Sequence, residues 1–161
     1  MSVSKAWQRS THPFVLERRS EVSTLDSIGA ETPSIARAEL RLGVPLRGSF
    51  RKFLEVSNGC RPFVPIQIEL WPVDKMDLFA RLSPEWYRIL GAGVPALNGL
   101  DLAQAIQISP EDEAMVVLIF PSSLNDGEED VVVRLGSHTT DLFPSYWQFW
   151  KSMRELSARF Y

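Results

Sequence analysis

Residues 35 to 59 read Ile35-Ala-Arg-Ala-Glu39-Leu-Arg-Leu-Gly43-Val-Pro-Leu46-Arg-Gly-Ser-Phe50-Arg-Lys-Phe53-Leu54-Glu-Val-Ser-Asn58-Gly59 and contain two apolar sets with helical spacing. The first set is Ile35, Ala38 and Leu42, and the second is Phe50, Phe53 and Leu54. Residues three and four apart share a helical face, so the stretch predicts two short amphipathic helices. Thr32-Pro33 predicts the start of the first helix, with Thr32 as its N-cap. Gly43 predicts a left-handed end for that helix, and Asn58-Gly59 predicts the end of the second.

Downstream of this helical pair, apolar residues alternate with polar ones or form β-branched runs, as is typical of strands. The predicted strands are 66–70, 102–108, 114–120 and 130–135. The apolar run 114–120 is expected to be central and to form an antiparallel hairpin with 130–135. Short helical pieces are predicted at 73–79 and 84–90, and a loop rich in Gly and Pro is predicted at 91–99.

The final helix is predicted from apolar residues on one helical face, namely Tyr146, Phe149, Trp150, Met153 and Leu156. Ser145 and Gln148 predict a capping box at its start. The order of elements indicates an α+β fold, with a mostly antiparallel sheet of about four to six strands flanked by N-terminal helices and a C-terminal helix. The length predicts a single domain over residues 1–161. Residues 1–28 are patterned more weakly, and one helix is expected there, at about 14–22.

Cysteine use and hydropathy indicate a cellular location. The chain of 161 residues has one cysteine, Cys60, which favours a reducing compartment because a lone thiol cannot staple the chain. No apolar run reaches the ~18 residues that a membrane span needs, and the first residues lack the apolar segment of a secretory signal. These features predict a cytoplasmic protein that makes no membrane contact.

Charge is distributed unevenly along the chain. The formal net charge is −3, but residues 1–61 carry ten Lys or Arg against six Asp or Glu. Residues 89–133 carry eight acids and no Lys or Arg. Such a section would repel phosphates, which argues against nucleic-acid binding there, whereas it would attract a basic protein.

Residues that could carry catalysis are scarce. Cys60 and His138 could form a Cys–His pair only if the fold brought them within hydrogen-bond reach, and nothing in the local sequence supports this. The acidic run 126–130 lacks the ligand spacing of a calcium loop, and one Cys with two distant His residues does not make a zinc set. Glu128 and Glu129 would point to opposite faces of a strand, so they could not act together. We therefore predict no catalytic residue, no metal and no cofactor.

The helical pair resembles the opening of the SUKH superfamily, the Smi/Knr-type domain. That pattern has an Ile, a Glu four residues on, Leu-Gly, Leu-Pro, an aromatic residue, Phe-Leu and Asn-Gly. The matching residues here are Ile35, Glu39, Leu42-Gly43, Leu46, Phe50, Phe53-Leu54 and Asn58-Gly59, with Arg47 in place of the usual Pro. A weaker likeness continues to the final helix, so that the resemblance covers the chain from about Gly29 onward.

The resemblance implies a non-enzymatic protein-binding module. Bacterial members are inferred to be immunity proteins that neutralise cognate toxins, often nucleases, whereas fungal members regulate cell-wall synthesis through partner binding. The charge pattern agrees with a basic toxin domain as the partner. The predicted partner surface comprises Glu111, Asp112, Glu113, Asp126, Glu128, Glu129, Asp130 and Trp86. Trp86 could be an anchor on that surface or could be partly buried under a loop. One alternative is a regulatory scaffold like the fungal members, and a less favoured one is a carboxylate-dependent enzyme in which at least two of these acids converge in a pocket.

Overall fold

The structure is a computed structural model that describes residues 28–60, 68–91, 97, 99–111, 115–121, 129–136 and 139–159. The helix predicted at about 14–22, the first residues of the predicted strand 66–70 and most of the predicted loop 91–99 lie outside these residues.

Helix α1 spans Thr32–Leu42 and confirms the first predicted helix. It buries Ile35, Ala38 and Leu42, the three residues that periodicity placed on one face. Gly43 has φ 73°, and its backbone N–H donates to the Glu39 carbonyl, which closes the helix in the predicted left-handed conformation. The N-cap is Glu31 rather than Thr32, because the extended backbone ends at Glu31 and Thr32 is already helical.

Helix α2 spans Gly48–Val56 and buries the predicted apolar residues Phe50, Phe53 and Leu54. It ends two residues before the predicted Asn58-Gly59 stop, with Ser57 extended at its C-cap. Gly59 has the positive φ expected of it, 92°. Asn58 turns the chain in another way, since its side-chain oxygen accepts a hydrogen bond of 2.8 Å from the backbone N–H of Val73.

The region between α2 and the sheet is built from short elements. In chain order they are a 3-10 turn at Val73–Lys75, strand β1 at Asp77–Leu78, helix α3 at Phe79–Leu82, helix α4 at Pro84–Gly91, a 3-10 turn at Leu102–Gln104 and strand β2 at Ile106–Gln107. Helix α4 confirms the prediction for 84–90. The predictions of one helical piece at 73–79, and of strands over all of 66–70 and 102–108, are wrong in extent.

Side-chain hydrogen bonds to the backbone accompany these differences. The Arg41 guanidinium of α1 donates to the carbonyls of Val73 and Met76 at 3.0 and 2.9 Å and so holds the 3-10 turn at Val73–Lys75 beside α1. The Asp101 side chain accepts from the Ala103 N–H at 3.0 Å and stabilises a turn where a strand was predicted. Of the predicted strand 66–70, Leu70 forms an isolated antiparallel bridge with Cys60.

The sheet has five antiparallel strands in the order β1-β2-β3-β4-β5. Strand β3 spans Met115–Phe120 and lies in the centre, and β4 spans Val131–Gly136. They pair from Met115 opposite Gly136 to Phe120 opposite Val131, which confirms the predicted hairpin. The edge strand β5, Thr140–Phe143, has no counterpart in the predictions, because four residues with alternating exposure give too short a pattern.

Both faces of the sheet are covered, and alternate residues of β3 and β4 point to different cores. We call the two sets the first core and the second core. The first core holds Val117 and Ile119 of β3 with residues of α1, α2 and the C-terminal helix α5, Tyr146–Ala158. The second core holds Val116, Leu118 and Phe120 with Phe79 and Leu102. The α+β fold class, the antiparallel sheet and its flanking helices are as predicted.

Helix α5 packs its aromatic face against α2 as well as against the sheet. The ring centroids of Phe53 lie 4.8 Å from Tyr146 and 5.2 Å from Trp150, and Phe50 lies 5.0 Å from Tyr146. The Gln148 N–H donates to Ser145 Oγ at 3.2 Å, which is one half of the predicted capping box. The N-terminal and C-terminal helices therefore share one aromatic cluster.

Candidate functional site

The acids predicted for the partner surface divide between described and undescribed parts of the chain. Asp112, Glu113, Asp126 and Glu128 lie outside the described residues. Glu111, Glu129 and Asp130 are described, and each has a different environment. Glu111 is exposed, Glu129 is half-buried, and Asp130 is 0% exposed.

Glu129 caps helix α2. Its carboxylate accepts hydrogen bonds from the Ser49 backbone N–H, at 2.9 and 3.2 Å, and from Ser49 Oγ at 2.7 Å. The first amides of a helix have no partner within the helix, and the helix dipole favours a negative charge at that end. A carboxylate from another element, rather than a side chain of α2, thus stabilises the helix N-terminus.

Gly48 allows this carboxylate to approach. Its φ is 59°, and a Cβ at this position would lie 2.5 to 2.9 Å from the Glu129 carboxyl group. A residue with a side chain would therefore be strained and would also press on the cap. The glycine and the acid act as one unit, although they are 81 residues apart.

Ser49 extends this contact to helix α5. Its Oγ accepts a hydrogen bond of 3.0 Å from the Trp147 N–H while it donates to Glu129, and the residue is 6% exposed. We call Glu129, Asp130, Gly48, Ser49 and Trp147 the polar joint. It fastens the starts of α2, β4 and α5 together. The apolar spacing of α2 does not identify Ser49 as a functional residue. The available signal was its place at the start of a helix, where serine is a common cap.

Asp130 is the second carboxylate of the polar joint. Its Oδ2 accepts from the Arg47 backbone N–H at 3.3 Å. Because the residue is fully buried, its carboxylate does not reach the surface of the folded chain. This corrects the prediction that Asp130 contributes to a partner surface. The burial was missed because an acid next to other acids in sequence is usually solvated.

Glu111 lies at the other end of the sheet from the polar joint. Strand β2 pairs Ile106 with Ile119 and continues toward the Met115 end of β3, whereas Asp130 precedes Val131, which pairs with Phe120. Six residues of β3 span about 17 Å at about 3.4 Å per residue. Glu111 and the pair Glu129–Asp130 therefore lie toward opposite ends of β3 and, among the described acids, do not form one surface.

Trp86 is half-buried on α4. It packs against the second core together with Tyr87 and Leu90. Its helix carries Ile89 at 63% exposure, and Leu82 of α3 is 39% exposed. Trp86 is thus partly buried, and its role as an anchor stays a prediction.

Cys60 is buried in the first core at 5% exposure, and His138 lies outside the described residues, so the Cys–His pair stays untested. Burial raises the pKa of the Tyr146 hydroxyl well above its ordinary value, and the nearby Cys60 adds to the rise by charge repulsion.

Glu39, the acid of the family-like pattern, fixes the turn between α1 and α2. Its carboxylate accepts from the Leu46 backbone N–H at 3.1 Å and from the Arg51 guanidinium. Arg51 also pairs with Glu55 one turn further along α2, at 3.2 Å. The pattern residues that resemble the SUKH opening are thus packing, capping and turn residues.

Among the described residues, no group of three or more His, Cys, Asp or Glu side chains is arranged to hold a metal ion. None of the helices in the described ranges is both long enough and apolar enough to cross a bilayer. No protein-family model matches the chain, and no curated protein matches it.

Proposed function

We propose that this chain is a non-enzymatic protein-binding module of the SUKH type, and that it acts as an immunity protein that neutralises a cognate basic toxin domain, such as a nuclease. The observation that carries the proposal is the ordered pattern of residues 35–59. The apolar residues that match the family pattern are buried in the first core, namely Ile35, Leu42, Leu46, Phe50, Phe53 and Leu54. Glu39 and Gly43 stabilise the turn after α1. The pattern therefore specifies the fold, and recognition of a partner would fall to surface residues outside the pattern.

The acidic section supports a basic partner. Residues 89–133 carry eight acids and no Lys or Arg, and two of these acids, Glu129 and Asp130, are used inside the polar joint. The other six are Asp101, Glu111, Asp112, Glu113, Asp126 and Glu128. A nuclease needs a basic groove for its substrate, and acidic side chains on a partner would speed association with that groove and block it.

The proposed partner surface therefore contains Glu111, Asp112, Glu113, Asp126 and Glu128, with Trp86 as a separate candidate anchor. The acids fall into two groups in sequence, 111–113 and 126–128, which can be tested apart. Tryptophan is enriched among the residues that dominate binding energy, so a contribution from Trp86 would appear in the dissociation rate.

The direct test of immunity uses a toxin domain encoded beside this chain. Co-expression should restore growth to cells that produce the toxin, and the two purified proteins should bind each other. Protection without binding, or binding without protection, would contradict the proposal. Where no such neighbour is encoded, a pull-down with the folded chain supplies the partner, and the recovery of only acidic proteins would contradict a basic partner.

Charge-neutralised variants test the proposed surface. E111Q/D112N/E113Q and D126N/E128Q remove the two groups, and E31Q/D74N/E155Q removes three exposed acids elsewhere as a matched control. We expect at least one of the first two variants to lower the association rate about tenfold at low salt and to flatten its salt dependence, since steered association is lost as charge is removed. The control should keep both properties. If all three variants bind like the unmodified chain at every salt concentration, the acidic section does not face the partner.

A further inference from the structure

We draw no further inference here: the strongest candidate, the exposed apolar side chains Leu82 and Ile89 on α3 and α4, carries nothing because nothing in the structure shows what covers them.

Discussion

The two faces of the sheet are covered in different ways. On the first face, α1, α2 and α5 supply three helices of 11, 9 and 13 residues and an aromatic cluster of fully buried rings. On the second face, α3 and α4 have 4 and 8 residues; Phe79 of α3 is fully buried, but Trp86 and Tyr87 of α4 are half-buried. Both faces shield the same strand β3, which has alternate residues buried in each core.

The difference between the two faces predicts which part of the molecule supplies most of the stability and which part opens more easily. Packing energy grows with buried apolar area, so the first face should supply most of the resistance to unfolding. The second face is covered by short elements joined by turns, and such elements open at lower cost than long packed helices. A substitution on the first face should therefore lower the free energy of unfolding much more than the matched substitution on the second face.

The largest effect is expected from Phe53→Ala. Phe53 is 1% exposed and contacts both Tyr146 and Trp150, so its removal leaves a cavity between α2 and α5. We expect a loss of about 3–5 kcal/mol in the free energy of unfolding, measured by urea denaturation. The matched change in the second face, Trp86→Ala, should cost about 1–2 kcal/mol because the ring is already partly in water.

Equal losses of unfolding free energy in the two variants would contradict this expectation, because they would mean that the second face is as tightly packed as the first. A small loss in stability for Trp86→Ala, combined with a large loss of partner affinity, would instead support the difference between the two faces. In that case the loosely covered face would also be a recognition face.

Two glycines with positive φ give the next comparison. A Cβ on Gly59 would lie 2.6 Å from the Leu70 carbonyl oxygen and 2.9 Å from backbone atoms of Trp71 and Pro72, whereas a Cβ on Gly99 would meet nothing within 4 Å. Both substitutions place alanine at positive φ, 92° and 82°. We expect Gly59→Ala to cost about 3 kcal/mol and Gly99→Ala about 1 kcal/mol in the free energy of unfolding.

The difference between the two alanine variants isolates the backbone contact beside the first core. If Gly99→Ala were as costly as Gly59→Ala, conformational strain alone would explain both, and the close approach of residues 59 and 70–72 would contribute little. Thermal denaturation of the two variants, under identical conditions, measures this difference.

The sequence predicted the long helices better than the short elements, for a physical reason. A helix of nine or more residues repeats its apolar spacing over at least two turns, as Ile35, Ala38 and Leu42 do in α1, so the pattern identifies the buried face. A helix of four residues such as α3 completes barely one turn, and its extent is decided by tertiary bonds. The bond of 2.9 Å from the Phe79 N–H to the Ala105 carbonyl is of that kind.

The candidate partner surface was predicted less well because charge in sequence does not fix exposure. Glu111 is exposed as expected, but Glu129 and Asp130 are adjacent to other acids and are nevertheless held by backbone amides of residues 47 and 49. These contacts cross about 80 positions of sequence. No local sequence pattern contains them, because they form only when the start of α2 packs beside the start of β4.

The alkaline stability of the first face should depend on Tyr146. Burial raises the pKa of its hydroxyl in the folded state, so the unfolded chain loses this proton first, near pH 10. Stability linked to the group is complete below that pH and falls as the pH rises toward the folded pKa, by about 1.4 kcal/mol per pH unit. Tyr146→Phe should remove this part of the slope.

Urea unfolding midpoints at pH 9, 10 and 11 measure the effect. Tyr87→Phe, which changes a half-buried residue of the second core, provides the reference for loss of a phenol as such. Parallel stability curves for the unmodified chain and Tyr146→Phe would show that this hydroxyl does not titrate differently in the two states.

The smallest effect concerns the polar joint. Glu129→Gln keeps the shape of the side chain but removes the charge that caps α2, and charge-assisted hydrogen bonds are about twice as strong as neutral ones. We expect a loss of about 1 kcal/mol in the free energy of unfolding, whereas Glu111→Gln, at an exposed position, should leave the midpoint unchanged. Denaturation of the two variants separates an acid used inside the fold from one that faces solvent.

A double-mutant cycle decides whether the joint acts through Ser49. If Glu129 stabilises α2 by its bonds to the Ser49 N–H and Oγ, Ser49→Ala already removes part of that interaction. The double variant S49A/E129Q should then lose less than the sum of the two single losses. Strict additivity would mean that Glu129 acts on α2 through the Ser49 backbone N–H and its charge, without a contribution from the Ser49 hydroxyl. If Glu129→Gln also left partner binding and its salt dependence unchanged, the acids that meet the partner would have to be sought among residues 111–113 and 126–128.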